Sequence, residues 1–303
     1  MTRSRGCGLL LGFALDRVLG DPRRLHPVAG FGTIASRLEQ RTYADARASG
    51  VVHEAVLVGG VFLLGRVLER RFPGAVVVAV STWVVLGGRS LEREALAVAA
   101  HLDAEDLPAA RRQVGRLVGR DTDVLDTGGV ARAAVESVAE NTSDAVVAPL
   151  VWGALLGPAG LLAHRAANTL DAMVGHRTPR YERFGWAAAR CDDLLNLPGS
   201  RLSGLLVLAA RPSRAGAAAL AWRRDAAAHP SPNAGVVEAA FAGALGVRLG
   251  GTTRYGDRVE ERPVLGDGRS VEPTDIARAT SLALRVGVGA ALVSAAIAHR
   301  WPR

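Results

Sequence analysis

Long apolar stretches alternate with polar stretches along this chain, and their lengths predict helices rather than strands. Two of them carry no charge and approach the length of about 20 residues with which a helix crosses a bilayer: Phe72–Gly88 and Ala145–Ala163. Three weaker candidates lie beside or include an arginine, which can snorkel to the membrane interface: Val56–Leu68, Leu194–Ala210 and Val286–Ala298. Period-two alternation, the signal of a half-buried strand, is absent.

These stretches predict an all-α fold, a polytopic helical integral membrane protein with roughly four to six membrane segments and amphipathic helical loops. No linker divides the chain, so we expect a single polytopic domain over residues 1–303. Gly157-Pro158 interrupts the second uncharged stretch, where the chain either breaks or re-enters the membrane. The stretch Ala234–Val247 is ambiguous because it contains Glu238. The alternative is a soluble all-helical protein with buried helices of about 10–14 apolar residues.

Composition removes several classes of function. All 37 basic residues are arginine, so neither a Schiff-base lysine nor a Walker A loop is available. The net charge of +8 is dispersed and only 5% of residues are aromatic, which argues against nucleic acid as a partner. Cys7 and Cys191 form neither a metal-binding spacing nor a disulfide framework. The motifs of zinc proteases, α/β-hydrolases and Rossmann enzymes are also absent.

The densest group of chemically useful residues is the stretch AAVESVAENTSDAVVAPL. Glu136, Glu140 and Asp144 recur at i, i+4 and i+8, which places them on one face of a helix next to an apolar run. Three neighbouring carboxylates repel one another unless a cation or protons intervene, and Mg²⁺ is the economical partner. Asn141 adds a neutral hydrogen-bonding group. A solvated acidic face is the alternative.

A second group follows in HRAANTLDAMVGHRTPRYERFGWAAARCDDLLN. Asn168 and Asp171 are three residues apart and share a helix face. Arginines suited to phosphate or carboxylate lie beside acids suited to a metal or to general-base catalysis. These residues are Arg177, Arg180, Arg190, Asp192 and Asp193. Alternatively, Arg190 and Asp193 form an ordinary helix ion pair.

A third group is the stiff loop His229-Pro230-Ser231-Pro232-Asn233. Its prolines restrict the neighbouring backbone, and Asn233 is placed to cap the helix that carries Glu238. A loop histidine is more often a capped surface residue than a catalyst, so both interpretations of His229 stay open.

Together these stretches resemble the CobD/CbiB family of adenosylcobinamide-phosphate synthases. The resemblance also includes GDPRRLHPV near the N-terminus and EAAFAGALGVRLGG after the third group, in the family's order, from about Asp16 to Gly251. One departure is His176-Arg177, where the family often has tyrosine-lysine.

The resemblance implies a multi-pass enzyme of the cell membrane in cobalamin biosynthesis, a carbon-nitrogen ligase. It implies that adenosylcobyric acid, through its free propionate, is joined to (R)-1-aminopropan-2-ol phosphate or the free amino alcohol. ATP and Mg²⁺ are the expected cofactors, and the lipid bilayer, the corrinoid and the amino alcohol are the expected partners. A homo-oligomer is compatible with this picture.

On this interpretation Mg²⁺ is held by the acids Glu136, Glu140, Asp144, Asp192 and Asp193. Arg177, Arg180 and Arg190 neutralise phosphate, and Asn141, Asn168 and Asn233 bind the corrin amides. Asp171 or His229 accepts the proton of the amine, and Glu140 is also catalytic. Two rivals remain, a non-catalytic regulatory or sensory relative and a membrane transporter.

Overall fold

The computed structural model describes residues 2–21, 26–176, 178–255 and 258–300. Within them the chain forms two compact units. Unit 1 comprises residues 1–87, 144–199 and 290–303, and unit 2 comprises residues 88–143 and 200–289. No low-complexity linker marks this division in the sequence.

The described residues are overwhelmingly helical, which confirms the predicted all-α class. The first seven α-helices are α1 (Thr2–Leu19), α2 (Pro27–Thr42), α3 (Arg47–Arg71), α4 (Gly74–Val85), α5 (Gly88–Asp103), α6 (Leu107–Val114) and α7 (Thr127–Thr142). A π-helical turn, Ser143–Val147, precedes α8 (Ala148–Leu156) and α9 (Pro158–Val174). The remaining α-helices are α10 (Trp186–Ala210), α11 (Ala215–Asp225), α12 (Ala234–Leu245) and α13 (Thr274–Arg300).

Three helical runs are long and apolar enough to span a membrane within the described residues: Arg47–Arg71, Gly74–Asp103 and Thr274–Arg300. They contain two of the five predicted stretches, Val56–Leu68 and Val286–Ala298, and most of a third, Phe72–Gly88. The second run is interrupted at Leu86-Gly87, where α4 ends and α5 begins. The chain is therefore a helical membrane protein. The described residues contain three such runs, whereas the sequence predicted roughly four to six membrane segments.

The uncharged stretch Ala145–Ala163 is not one span. It begins inside the π-helical turn, and α8 ends at Leu156 because Gly157 adopts φ +66°, ψ −146°, a conformation open essentially to glycine. Arg5 compensates for the break, since its Nη1 donates to the carbonyls of Ala154 and Leu155 at 3.3 and 3.2 Å. The Gly157-Pro158 interruption predicted from the sequence is thus confirmed as a helix break.

Unit 1 is held together by close helix packing. α3 lies against α9 so tightly that a Cβ at Gly65 would meet the backbone of Ala159 within 2.5–2.6 Å. Small residues let helix backbones approach in this way, and van der Waals attraction stabilises the approach. Phe184 is 1% exposed and anchors a core with Leu57 and Leu170. This packing fixes how α3, α9 and α10 present their polar side chains.

Unit 2 is built around α12, whose twelve residues are all buried. With twelve residues, α12 is too short to cross a bilayer, and a mostly apolar helix of that length belongs in a protein interior, which resolves the ambiguity of this stretch. A two-stranded antiparallel hairpin, β1 (Leu249–Tyr255) and β2 (Arg258–Leu265), belongs to the same unit. The sequence pattern did not predict these strands, because glycines and charges interrupt the alternation that identifies a strand.

Candidate functional site

Unit 1 brings together residues of the second group from two helices. Asn168 and Asp171 come from α9, as the i, i+3 spacing predicted, and Asp192 comes from α10. The Nδ2 of Asn168 donates to Oδ1 of Asp192 at 3.2 Å. The charge of Asp171 also acts directly on Asp192. An amide and two carboxylates that are remote in sequence therefore share one partly exposed site.

The environment of Asp192 changes its acidity. Burial raises the pKa of Asp192 to about 7, and the neighbouring charge of Asp171 acts in the same direction, while the amides of Asn168 and Asn196 oppose the shift. A carboxylate with that pKa exchanges protons near neutral pH, as a general base requires.

A buried histidine lies beside this site. His164 is 1% exposed, and burial lowers its pKa to about 4, so the ring is neutral. Its Nε2 donates to Oδ1 of Asn196 at 2.9 Å, which orients that amide. Sequence reasoning grouped Asn196 with Asp192 and Asp193 but missed His164, because only the packing of α9 on α10 brings the histidine and the amide together.

Glu54 is the third acid near this site, after Asp171 and Asp192, and sequence reasoning missed it. It is on α3 and only 7% exposed, and neither carboxylate oxygen has a hydrogen-bond partner of normal geometry among the described residues. Its charge interacts with Asp171 and Asp192, and the Cys191 thiol, a weak donor, lies beside it. The stretch considered as a span began at Val56, two residues beyond Glu54, so the acid was overlooked. An ionisable residue within a membrane segment is a signal of function by default.

Two of the three arginines expected to bind phosphate already have acidic partners. Arg190 pairs with Asp193 at 3.3 Å one helical turn away, which is the ordinary ion pair considered from the sequence. Arg180 pairs with Glu39 at 2.9 Å and stacks over the Tyr43 ring at 4.1 Å. Arg177 lies outside the described residues.

Asp144 does not continue the predicted acidic stripe in an α-helix. It falls in the π-helical turn Ser143–Val147 and belongs to unit 1, whereas Glu136 and Glu140 belong to α7 in unit 2. Within unit 1 its charge acts on Arg165. Burial lowers the pKa of Arg165, and the charges of Asp21 and Asp144 oppose that shift.

In unit 2, both carboxylate oxygens of Glu136 are bonded to the protein. Its Oε2 accepts from Arg120 at 2.5 Å and its Oε1 accepts from the backbone N–H of Gly250 at 2.7 Å. The Arg120 and Glu136 side chains are 6% and 5% exposed. This buried pair ties α7 to the start of β1, so Glu136 has a framework role in this structure.

Glu140 lies near a second buried pair. His229 Nε2 is 3.8 Å from Glu238 Oε1, and the two side chains are 5% and 2% exposed. Burial raises the pKa of Glu238 and lowers that of His229, so in both groups it favours the neutral form. Burial also raises the pKa of Glu140, against the charges of Arg262 and Arg120. The Nδ1 of His229 lies 3.1 Å from the backbone N and 3.2 Å from the carbonyl oxygen of Ser231, so it accepts from the N–H in one tautomer and donates to the carbonyl in the other.

The two asparagines predicted in this region make structural bonds. The Nδ2 of Asn141 donates to the carbonyl of Ser137 in its own helix at 3.0 Å. Asn233 occupies the N-cap position of α12, but its side chain does not cap the helix. Instead its Oδ1 accepts from Ser200 and Arg201, both at 2.9 Å. The Oγ of Ser231 accepts from the N–H at the start of α12 at 3.2 Å, so that part of the prediction was wrong.

A polar cavity of about 430 Å³ also lies in unit 2, beside the start of α7. Arg132 and Arg248 line it together with Gly128, Gly250 and Gly251, a composition suited to an anion. However, Arg132 donates to two backbone carbonyls of β1, and Arg248 bonds to a serine hydroxyl. The cavity arginines are therefore already occupied by the protein itself.

The acids assigned to Mg²⁺ from the sequence do not form a metal site by themselves. In the part of the chain that the structure describes, no group of three His, Cys, Asp or Glu side chains could hold a metal ion. Mg²⁺ usually keeps waters and binds through one or two carboxylates and substrate phosphates. Among the described residues, these acids therefore do not make up a resident metal site on their own.

Known proteins of one family match this chain over most of its length. The family model described as CobD/Cbib protein matches residues 9–283. A protein of Mycobacterium tuberculosis named "Cobalamin biosynthesis protein CobD" is 52% identical over 98% of this chain and 97% of its own length. Proteins of the same name from Rhodobacter capsulatus and Stutzerimonas stutzeri are 43% and 47% identical, over 97% and 91% of each chain. No solved structure matches.

A family match over most of the length and relatives that align with nearly the whole chain lead to one conclusion. This chain belongs to the CobD/Cbib family, whose named relatives are cobalamin biosynthesis proteins.

Proposed function

We propose that this chain forms an amide bond in cobalamin biosynthesis, as a multi-pass enzyme of the cell membrane. It joins the free propionate carboxylate of adenosylcobyric acid to (R)-1-aminopropan-2-ol phosphate, or to the free amino alcohol, and consumes ATP. Mg²⁺ arrives with ATP as its counterion. Family membership and the three helical runs long enough to span a membrane support the setting of this proposal.

One observation carries the chemical part of the proposal, the meeting of Asp171 and Asp192 beside Asn168 in unit 1. An amine is protonated near neutral pH and must lose a proton before it attacks an acyl group. Like charges separate the pKa values of two interacting carboxylates, so one of them can accept the proton of the amine while the other remains charged.

The proposed reaction has two steps. First, a propionate oxygen attacks the γ-phosphorus of ATP, which gives an acyl phosphate and releases ADP. Then the amine nitrogen attacks the acyl carbon, the bond from carbon to the phosphate oxygen breaks, and inorganic phosphate leaves. The proton of the amine passes to the Asp171 and Asp192 pair. Asn168, held between Arg165 and Asp192, positions the carboxylate.

His229 is a weaker candidate for the proton acceptor than the sequence indicated. Its Nδ1 is engaged by the backbone of Ser231, and its Nε2 lies 3.8 Å from the buried Glu238. Burial also lowers the pKa of His229, which weakens it as a base. Asp192 is also partly exposed, whereas His229 is buried. We therefore place proton transfer at the aspartate pair in unit 1.

The test is a reaction with the full chain purified in detergent. Adenosylcobyric acid, (R)-1-aminopropan-2-ol phosphate, ATP and Mg²⁺ are supplied, and the corrinoid is followed by mass spectrometry. The expected product is heavier by one condensed aminopropanol phosphate, and its formation depends on ATP. Corrinoid binding without product would favour the non-catalytic relative. Uptake of a corrinoid into proteoliposomes without product would favour the transporter.

A further inference from the structure

Three acids from three helices of unit 1 interact through their charges: Glu54 of α3, Asp171 of α9 and Asp192 of α10. The charge of Asp171 acts on Glu54 and on Asp192, and the charge of Asp192 acts on Glu54. Asn168 donates to Asp192 at 3.2 Å, and the amide of Asn196 also bonds to Asp192. Like charges that interact in this way repel one another unless a cation or a proton lies among them.

The buried end of this cluster is the most informative part. Glu54 is 7% exposed, and its one neighbouring donor among the described residues is the weakly donating Cys191 thiol. A buried acid without a good donor is costly, and such a group in a native structure calls for an explanation. Glu69 on the same helix shows the alternative, because its Oε1 accepts from Arg5 at 2.8 Å and its Oε2 from Arg66 at 3.3 Å.

The partner that suits Glu54 is a small organic cation rather than a metal ion. No metal-binding group of three such side chains exists among the described residues, so the carboxylates are not arranged for direct coordination of one ion. The chain contains no lysine that could supply an ammonium group from within. A primary ammonium offers three N–H donors on one charge, which matches carboxylates presented from several directions.

Access to the cluster is graded. Asp171 and Asp192 are partly exposed, whereas Glu54 is buried. The charges of both aspartates act on Glu54, so a cation held at the aspartates also interacts with Glu54.

We propose that Glu54, Asp171 and Asp192 form the binding site for the protonated primary amine of the amino alcohol. The inference rests on the proposed function for the identity of the amine, and it makes Glu54 a substrate-binding residue. Glu54 and Asp171 hold the ammonium group, and the aspartate pair then removes its proton when the acyl group is in place.

The test is titration calorimetry on the full chain in detergent, without ATP or corrinoid. The probes are (R)-1-aminopropan-2-ol phosphate and propane-1,2-diol phosphate, which has a hydroxyl group in place of the amine. Wild type is expected to bind the amine at least about tenfold more tightly than the diol, as a charge-assisted hydrogen bond implies. Glu54→Gln, which keeps the shape and removes the charge, is expected to lose that preference, and Glu54→Asp to recover part of it.

Glu69→Gln is the matched control, since it makes the same change on the same helix at an acid that already has protein partners. Its amine preference is expected to stay close to that of wild type. Equal binding of amine and diol by wild type, or an unchanged preference in Glu54→Gln, would overturn the inference even if product forms. Amine binding that depends on Glu54, without any product, would support this site and reject the proposed reaction.

Discussion

Glu136 and Glu54 are both buried acids on helices, but they differ in the hydrogen bonds that their carboxylate oxygens accept. In unit 2 both oxygens of Glu136 accept hydrogen bonds, from Arg120 and from Gly250. In unit 1 neither oxygen of Glu54 accepts one of normal geometry among the described residues. Burial alone therefore does not identify a functional acid, and the number of protein donors around it is more informative.

The difference has a direct energetic meaning. Breaking a buried ion pair by removing one partner is strongly destabilising, because the other charge is left buried and uncompensated. An acid without strong donors contributes nothing favourable to the free energy of folding in its charged form, and it leaves room for an external donor. The sequence pattern indicated Glu136 as functional and passed over Glu54, whereas we propose Glu54 as the acid that binds substrate.

The largest expected effect separates two neighbouring aspartates in α10. Asp192→Asn removes the proposed proton acceptor, so we expect product formation to fall by about 10²–10⁴-fold. Asp193→Asn changes an acid paired with Arg190, and we expect a loss of less than about threefold. Initial rates of corrinoid product formation measure both, and similar losses in the two variants would contradict the assignment of Asp192.

The next effect concerns Glu136 and its buried partner Arg120. Arg120→Ala leaves Glu136 buried without its cation, and we expect the free energy of unfolding to fall by about 3–5 kcal/mol. Denaturant unfolding in detergent measures the loss. Replacing both partners with apolar residues of similar volume should recover much of it, because no buried charge then remains. A full loss in the double variant would mean that the pair does more than compensate charge.

How much of this arrangement was predictable depends on whether a feature is local in sequence. The helix break at Gly157-Pro158 and the shared helix of Asn168 and Asp171 follow from spacing and backbone chemistry, and both were predicted. The pairing of Asn168 with Asp192 depends on how α9 packs on α10, which no periodicity contains. The contact between Arg120 and Glu136 also depends on packing and could not be predicted, because the two residues are sixteen apart in sequence.

Prediction from local patterns also failed where the bounds of a helix were placed at the wrong residue. The predicted span beginning at Val56 left out Glu54, although α3 begins at Arg47 and carries the acid inside it. The stripe of Glu136, Glu140 and Asp144 assumed an unbroken α-helix, and the π-helical turn that begins after α7 interrupts it. Such turns are rare and often lie at functional sites, and spacing alone does not reveal them.

A smaller effect is the pH dependence of turnover. Burial and the charge of Asp171 raise the pKa of Asp192 to about 7, so the charged form that accepts a proton is lost as the pH falls below that value. Asp193 also faces Asp192 and favours the same direction. We expect kcat/KM for the amino alcohol to fall about tenfold for each pH unit below 7, and Asp192→Asn to remove this limb. A rate that is flat across the acidic range in wild type would contradict the assignment.

The smallest expected effect tests the paired arginines. Arg190 is bonded to Asp193 on the surface of α10, and exposed ion pairs of this kind contribute about 0–1 kcal/mol. If this pairing is its main role, Arg190→Ala should change the KM for ATP and the rate of product formation by less than about threefold, which initial-rate kinetics would measure. A loss of about a hundredfold or more in kcat/KM for ATP would mean that Arg190 leaves Asp193 to hold a phosphate group, as its residue type first indicated. The presence of a protein partner would then not be enough to separate structural from functional charged residues, because a surface ion pair in the free protein would not exclude a binding role.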